Sequence, residues 1–305
     1  MSSGNVPANP ITFRQRLHVA LLYCLPHHLV SRGLYFLTRR RLPGLALVIG
    51  WFVRRYGVEL QDAAQPEIRE YATFNAFFTR ALQPGARTIA DLPHGLISPV
   101  DGTVSAVGRI TAGRLLQAKG IDYSLAALLG GGIDPDPFED GAFATLYLSP
   151  RDYHRVHMPC RGTLRAMSYV PGRLFSVAPH TVATVARLFT RNERVASLFD
   201  TPLGPVAVVL VGAINVAAIE TVWSGLVTPP QGRRPRHWRY ADAPVELAAG
   251  AELGRFNMGS TVIVLAPRRL RWAAQLASGT PVRLGQPLGT SDRQREPNGE
   301  IPDAS

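Results

Sequence analysis

Six short, mainly apolar runs rich in β-branched residues most constrain what this chain can fold into. They follow one another after residue 85 and are separated by segments that contain glycine and proline. The run 206–211, Val-Ala-Val-Val-Leu-Val, has no polar side chain, which is typical of a strand buried on both faces. The runs predict β-strands at residues 102–107, 142–148, 162–170, 206–211, 216–219 and 261–265. This part of the chain is therefore predicted to be mostly sheet, interrupted by one helix at 181–189.

The residues before this sheet follow a helical pattern. Apolar residues at helical spacing predict three short helices, at 11–25, 29–37 and 45–56, with proline between them. A core helix is predicted at 67–82, where Thr73 is in position to cap the second half. The fold class is therefore predicted to be α+β, with helices first and a core of buried strands afterwards.

The first 60 residues carry most of the excess positive charge. The whole chain has 33 Lys and Arg against 22 Asp and Glu, a formal net charge of +11. Eight arginines and the single acid Glu59 fall in the first 60 residues. Apolar helices flanked by arginine are typical of elements that lie on an anionic membrane surface. A helical cap packed on the β-rich domain is the alternative. The apolar side chains of this segment include Phe13, Leu17, Leu21, Leu34, Phe36, Trp51 and Phe52.

Composition argues against several classes of protein. The most apolar stretch, 45–53, is shorter than the roughly 20 residues of a membrane-spanning helix, and the start of the chain lacks a secretory signal pattern. Cys24 and Cys160 lie too far apart for a disulfide framework or a zinc ribbon. No nucleic-acid-binding motif is recognisable, so nucleic acid is not expected as a partner. We expect a peripheral protein on the cytoplasmic side of the cell membrane.

The chain is thus predicted to have three parts. Residues 1–65 form a helical, membrane-associating segment, residues 66–287 form the β-rich domain, and residues 288–305 form a polar disordered tail. Residues 229–244 carry four arginines among prolines and predict a mobile basic loop within the β-rich domain.

Two segments place a reactive side chain beside a glycine. In Ser-Pro-Val-Asp-Gly, Asp101 precedes Gly102 at a predicted strand start, where a turn would aim its carboxylate away from the sheet. An ordinary Asp-Gly turn is the alternative. In the other segment Ser260 follows Gly259, and a glycine without a Cβ lets the hydroxyl approach its carbonyl. An ordinary turn at the entry to a strand is the alternative there.

The segment Tyr-His-Arg-Val-His-Met-Pro contains two of the eight histidines, His154 and His157. Histidines three residues apart can ligate a metal, but no third ligand stands at a recognised spacing. A histidine of ordinary pKa, about 6.5, suits proton transfer at neutral pH, and a carboxylate such as Asp101 can orient its ring. A general base is therefore favoured over a metal site, with a histidine bonded in a loop as the alternative.

Asp101, His157 and Ser260 together supply an acid, a base and a hydroxyl. A serine hydrolase could use this set, but the Gly-x-Ser-x-Gly elbow is missing because Met258 and Val262 occupy its glycine positions. A second class of enzyme uses the same groups against its own backbone. A third interpretation is a non-catalytic, basic, membrane-binding protein in which the Gly-Ser turn is only structural.

These segments resemble the signatures of the bacterial, self-cleaving type of phosphatidylserine decarboxylase. The segments around Asp101, His157 and Ser260 have the family's order and spacing. Met258 stands where the family usually has leucine, a substitution that conserves volume and apolarity. Further segments that resemble the family begin at Phe74, Gln117, Leu188 and Val211.

The resemblance implies a chemistry for these residues. Ser260, activated by His157 with Asp101 orienting the ring, would attack the carbonyl of Gly259 and cut the chain there. The serine would become a pyruvoyl group, which forms a Schiff base with the substrate amine and makes PLP and metal unnecessary. Either His154 or His157 would protonate the carbon that CO2 leaves, and the resemblance favours His154 in substrate handling. Phosphatidylserine would become phosphatidylethanolamine, and the β-rich domain would be the catalytic one.

The resemblance also implies partners. The products of the cut, residues 1–259 and 260–305, would stay together as a heterodimer, and a homo-oligomer is allowed. The substrate is a lipid of anionic membranes, which agrees with the arginine-rich N-terminal segment.

Overall fold

The structure, a computed structural model, describes residues 27–118, 120–214, 218–228, 234–257 and 260–291. The predicted helix at 11–25 lies outside these residues.

Six α-helices occur within the described residues. They are α1 (His27–Thr38), α2 (Leu45–Tyr56), α3 (Phe74–Phe78), α4 (Leu125–Leu129), α5 (Pro179–Val182) and α6 (Leu188–Arg191). Short 3₁₀ helices lie at Ile68–Glu70 and Asp136–Phe138. The predicted helix at 45–56 is confirmed by α2, and the one at 29–37 by α1.

The strands, in chain order, are β1 (Gly95–Ile97), β2 (Gly102–Arg109), β3 (Arg114–Ala118), β4 (Ile121–Ser124), β5 (Ala142–Leu148), β6 (Arg155–His157), β7 (Gly162–Val170), β8 (Arg194–Thr201), β9 (Gly204–Val211), β10 (Ile219–Thr221), β11 (Gly225–Thr228), β12 (Arg236–Arg239), β13 (Val245–Leu247), β14 (Glu252–Phe256), β15 (Ser260–Ala266), β16 (Leu270–Trp272), β17 (Pro281–Val282) and β18 (Pro287–Ser291). Five of the six predicted strands are confirmed with bounds that differ by at most two residues at either end. The sixth, 216–219, overlaps β10 at Ile219, and its residues 216–217 lie outside the described residues.

A nine-stranded antiparallel sheet forms the body of the protein. Its order is β12-β7-β8-β9-β15-β5-β2-β17, with β13 also paired to β7. Every residue of β15 is buried, and the strand is hydrogen-bonded between β5 and β9. Residues 206–211 of β9 are also entirely buried, as their continuous apolar composition predicts. The predicted β-rich α+β fold is therefore confirmed.

Three smaller sheets complete the fold. One has the strand order β11-β10-β14-β6, the second has the order β1-β18-β16, and the third pairs β3 with β4. The chain leaves β14 at Phe256 and enters β15 at Ser260, so one short connection joins the four-stranded sheet to the body.

The predicted helix at 67–82 is wrong. Its first part is a 3₁₀ turn, and Tyr71 and Thr73 have extended backbone. The Thr73 hydroxyl accepts a hydrogen bond from Ala76 N at 3.1 Å, so a new helix, α3, starts there. The cap predicted at Thr73 is thus confirmed, but it begins a separate five-residue helix.

The single helix predicted at 181–189 is also wrong, because a buried side chain replaces helical hydrogen bonds. The amide of Gln117 donates to the carbonyls of Val182 and Val185 and accepts from Leu188 N, at 2.7–2.8 Å. Arg187 adopts a left-handed backbone with φ 55°, which separates α5 from α6.

The predicted basic loop and the predicted tail both include residues that form strands. Within 229–244, residues 236–239 form β12 and pair with β7, while 229–233 lie outside the described residues. The predicted tail, 288–305, begins too early, because β18 pairs with both β1 and β16 and its Leu288 is fully buried. Residues 292–305 lie outside the described part of the chain.

A second hydrophobic core joins α2 to α3. Ile49 and Phe52 of α2 pack with Tyr71, Phe77 and Phe78, all less than a tenth exposed. The sequence places Phe52 among the apolar side chains expected to face the membrane, and this expectation is wrong. Three T-shaped ring contacts hold Phe52 in the core instead.

The opposite face of these helices is exposed and apolar. The exposed fractions are 60% for Phe36 in α1 and 78% and 56% for Leu47 and Trp51 in α2. Arg40 lies over the Phe36 ring at 4.1 Å, whereas Arg39 is bound to Glu220 at 3.0 Å. Among the described residues, no helix is long and apolar enough to cross a membrane.

Candidate active site

Ser260 is the first residue of β15 and is completely buried. It pairs in register with Leu148 at the end of β5. Its Oγ has no hydrogen-bond partner among the described residues. A buried hydroxyl left without a partner costs about 1–3 kcal/mol of folding free energy, so the rest of the fold must compensate for burying Ser260. Gly259 and Met258 lie outside the described residues.

Asp101 reaches the same end of the sheet as Ser260. The strand β2 starts at Gly102, directly after Asp101, and lies beside β5, which lies beside β15. A Cβ on Gly102 would stand 2.5 Å from the carbonyl oxygen of Tyr147, so only glycine lets β2 approach β5 this closely. Asp101 and Ser260 are thus separated by one intervening strand.

The two histidines are brought to this end by β6 and β14. Phe256 N donates to the carbonyl of His154 at 3.0 Å. Phe256 is the last residue of β14 and precedes Gly259 by three residues in the sequence. His157 N donates to the carbonyl of Pro99 at 2.9 Å, which ties β6 to the segment that carries Asp101. The structure therefore brings the backbone of all four predicted residues to one end of the central strands.

Both ring nitrogens of His157 have partners. Nδ1 lies 2.7 Å from the carbonyl of Gly250, and Nε2 lies 3.0 Å from the hydroxyl of Tyr153. Because a carbonyl can only accept, Nδ1 carries the proton and Nε2 carries the lone pair, to which Tyr153 donates. Burial lowers the pKa of His157, so the ring is neutral at neutral pH.

His154 is completely buried and packs on the Phe78 ring, with 4.1 Å between ring centroids. Its Nδ1 donates to the carbonyl of Asp152 at 2.8 Å, and its Nε2 has no partner among the residues described. Burial lowers the pKa of His154 to about 3. At neutral pH the ring therefore offers a bare lone pair at Nε2.

The expected contact between Asp101 and His157 is not present. Arg87 donates to both carboxylate oxygens of Asp101, at 2.7–3.2 Å, and Leu284 N donates to the same carboxylate at 2.8 Å. Arg87 also binds Asp62 at 2.6 Å. Asp101 thus acts on His157 only through space. Burial is the largest effect and lowers the pKa of the ring, whereas the hydrogen bond to Gly250, the charge of Glu252 and, least of all, the charge of Asp101 raise that pKa.

Sequence reasoning missed three groups at this site. Arg87 follows the Pro84-Gly85 turn, and its position gives no sign that it binds an acid fourteen residues later. Gly250 contributes only a backbone carbonyl, which no sequence pattern reveals. Tyr153 stands inside the two-histidine segment and could have been found as a donor within reach of a histidine four residues away.

A polar cavity of about 260 Å³ opens beside the site. Its lining includes Arg80, Arg87, Asp101 and Tyr153, together with Gly57 at the end of α2. Among the described residues, no cluster of three His, Cys, Asp or Glu side chains has the arrangement of a metal site.

Comparison with known proteins gives extended matches. A family model described as phosphatidylserine decarboxylase matches residues 74–290, and one described as PSD matches residues 17–57. A phosphatidylserine decarboxylase proenzyme of Pseudomonas paraeruginosa (strain DSM 24068 / PA7) is 54% identical over 284 residues, covering 91% of this chain and 98% of the relative. The protein of the same name from Nitrosococcus oceani is 52% identical over 288 residues, covering 92% and 94%. The matches extend over both the helical segment and the β-rich body.

Proposed function

Because the chain belongs to the phosphatidylserine decarboxylase family, we propose that it converts phosphatidylserine to phosphatidylethanolamine and CO2 after cutting itself at Ser260. The enzyme class is that of a carboxy-lyase. The observation that carries the self-cleavage is the buried, unpartnered hydroxyl of Ser260 at the point where two sheets are joined. The relatives' name, proenzyme, agrees with a chain that must be processed.

The proposed cut is an attack of Ser260 Oγ on the carbonyl carbon of Gly259. The new C–O bond replaces the C–N bond, and the proton of the hydroxyl passes through His157 to the freed amine. Removal of the α-proton of residue 260 then expels the carboxylate of Gly259 and leaves a dehydroalanine. Water converts this residue to a pyruvoyl group and releases ammonia. Two chains result, of 259 and 46 residues.

The protonation state of His157 supports its role as the base. With Nδ1–H fixed on Gly250, the lone pair at Nε2 is the only site of the ring that can accept a proton. The Tyr153 hydroxyl occupies this lone pair in the uncut chain, so it has to turn away first. We assign Asp101 the role of favouring the protonated ring by its charge, while Arg87 holds the carboxylate in place.

The pyruvoyl group supplies a carbonyl that takes up the electron pair released when CO2 leaves. The surroundings of Ser260 fit such a group for two reasons. The position is completely buried and so shielded from water, and no described side chain forms a hydrogen bond with the Ser260 oxygen. His154 offers the bare Nε2 of a neutral ring. We assign it the proton that the substrate ammonium must lose, which it returns to the carbon that CO2 has left.

We further propose that the protein attaches peripherally to the cytoplasmic face of the membrane through α1 and α2. Leu47 and Trp51 present exposed apolar surface there, with the arginines 40 and 41 exposed nearby. Gly57, at the end of α2, lines the polar cavity, so a headgroup could reach the cavity while the acyl chains stay in the bilayer.

The test is release of CO2 from phosphatidylserine labelled at the serine carboxyl. Wild type should release label, and Ser260→Ala should lose activity by at least about 1,000-fold, since alanine cannot form the carbonyl. Ser197→Ala is a matched control, because Ser197 also has a fully buried, unpartnered hydroxyl in the same sheet. Equal activity of Ser260→Ala and wild type would rule out the proposal.

A further inference from the structure

One buried arginine beside the site has no acidic partner. Arg80 is 6% exposed, and its Nη2 donates a hydrogen bond to the carbonyl of Arg151 at 3.2 Å. Its Nε is buried without a partner, and no carboxylate lies within ion-pair distance in the part of the chain that is described. A buried guanidinium normally has a paired charge, because its desolvation is costly.

The other cations of the cavity are already engaged or face solvent. Arg87 is bound to Asp62 and Asp101. Arg151 is 64% exposed and lies 3.7 Å from Asp152, and Arg283 is also exposed. Asp152 in turn accepts from the amide and the hydroxyl of Ser149. Arg80 is therefore the buried positive charge in this cavity that is left for a ligand.

The aromatic core holds Arg80 close to the reacting groups. Its guanidinium lies 5.6 Å from the centroid of Phe77, and the neighbouring Phe78 packs on His154. Burial is the main reason why the pKa of His154 is low, and the charge of Arg80 lowers this pKa further. Arg80 and Tyr153 line the same cavity.

We propose that Arg80 binds the phosphodiester of the substrate headgroup in the cavity of about 260 Å³ beside Tyr153. This inference rests on the proposed function. The headgroup has a second anion, the carboxylate, but that group leaves as neutral CO2. A guanidinium on the carboxylate would stabilise the bound substrate more than the transition state and would slow the reaction. The phosphodiester keeps its charge throughout, so contact with Arg80 binds the lipid without opposing the chemistry.

Three soluble probes separate the two anions. Glycerophospho-L-serine has both a phosphodiester and a carboxylate, glycerophosphoethanolamine has only the phosphodiester, and L-serine has only the carboxylate. Each is used as a competitive inhibitor of the mature enzyme in mixed micelles of phosphatidylserine. Arg80→Met should weaken inhibition by both phosphodiesters about 10- to 100-fold and leave L-serine unchanged, since a charge-assisted hydrogen bond is lost.

The same variants give two further readouts. Arg80→Met should raise KM for phosphatidylserine by at least about tenfold while changing kcat much less. Arg80→Lys should have an intermediate effect, because lysine keeps the positive charge but lacks the paired N–H donors of the guanidinium. Arg165→Gln, an exposed arginine on β7, is the control and should change none of these quantities.

Loss of inhibition by L-serine but not by glycerophosphoethanolamine would overturn the proposal, and so would unchanged inhibition by both phosphodiesters. If Arg80→Met does not mature, the uncut Ser260→Ala chain is used. There glycerophosphoethanolamine should raise Tm with arginine at position 80 and not with methionine, and an equal rise in both would also overturn the proposal. Failure of the decarboxylation itself would appear separately, as a wild-type chain that releases no CO2.

Discussion

At the scale of single residues, the hydrogen bonds of His157 decide which atom can act as a base. Nδ1 is bonded to the carbonyl of Gly250, so Nε2 is the atom that would take the proton of Ser260 in the proposed cut. The Tyr153 hydroxyl donates a hydrogen bond to that lone pair, and it is not itself assigned as the base. The two side chains should therefore have different effects on maturation.

His157→Ala should slow self-cleavage by at least about 100-fold, the usual contribution of a general base, whereas Tyr153→Phe should still cut. The measurement is a time course of chain cleavage on a denaturing gel after synthesis. A His157→Ala chain that is cut at the wild-type rate would show that another group is the base.

Asp101 depends on Arg87 for its position. Three hydrogen bonds from the guanidinium fix the carboxylate, and both side chains are only 12–13% exposed. Removing one member of such a pair leaves an uncompensated charge.

We expect Arg87→Met to slow the proposed self-cleavage about tenfold or more. Arg87→Lys should slow it less, because lysine keeps the positive charge although it lacks the paired N–H donors of the guanidinium. The same gel time course measures this, with Arg165→Gln, which changes an exposed pair with Asp200, as the control. Wild-type cleavage by Arg87→Met would mean that the ion pair has no part in maturation.

The buried His154 gives the protein a specific dependence of stability on pH. Its pKa is about 3 in the folded chain and about 6.5 when unfolded, so between these values the unfolded state binds more protons. The free energy of unfolding should therefore fall as the pH drops below 6.5, by up to about 1.4 kcal/mol per pH unit from this group.

In the uncut Ser260→Ala chain, His154→Asn should make urea unfolding less sensitive to pH between 6.5 and 5. The observable is the difference in slope between the two chains, which removes the contribution of other titrating groups. Identical slopes would contradict the buried, neutral state of His154.

At the scale of elements, strands could be predicted from sequence better than helices. The runs 142–148 and 162–170 became β5 and β7 with those same bounds, because continuous burial leaves a continuous apolar pattern. The helices at 67–82 and 181–189 failed because the Thr73 hydroxyl and the Gln117 amide take over backbone hydrogen bonds. The Gln117 bonds join distant parts of the chain and leave no local signal, whereas the Thr73 cap is local and was predicted, although as part of a longer helix.

The same contrast holds at the site. The four predicted residues, Asp101, His154, His157 and Ser260, do lie at one end of the central strands. Their partners could not be predicted, because Arg87 and the carbonyl of Gly250 are brought in by the fold and not by a motif.

The exposed face of α1 and α2 leads to a prediction about membrane binding. Replacing Arg40 and Arg41 with glutamine should weaken sedimentation with anionic liposomes, and the effect should shrink as salt rises, because exposed charges are screened. Leu47→Ser should weaken binding at all salt concentrations, since this side chain is 78% exposed. Arg39 is left unchanged because it is bound to Glu220.

The control is the pair Arg161→Gln and Arg165→Gln, which removes the same charge from exposed positions outside α1 and α2. Phe52→Ala should behave differently from Leu47→Ser and lower stability by about 3–5 kcal/mol, because Phe52 is a core residue. If the double change at 40 and 41 leaves liposome binding intact, the membrane is reached by another surface.

At the scale of the whole molecule, the fold predicts what would happen to the two chains after the proposed cut. The residues after the cut provide β15, which is hydrogen-bonded between β5 and β9 in the middle of the main sheet. They also provide β17 and β18, which pair with β2 and β1. Strands buried in this way should keep the short chain bound without a covalent link, so the cut changes the chemistry of Ser260 and not the fold.

The mass of the purified wild-type protein under denaturing and native conditions tests the self-cleavage most directly. Denatured wild type should give two chains, residues 1–259 and 260–305, the second with a pyruvoyl group in place of Ser260, while the native mass should equal at least their sum. Ser260→Ala should give one chain of 305 residues. A wild-type protein that decarboxylates phosphatidylserine as a single intact chain, or that is cut at another bond, would contradict the account.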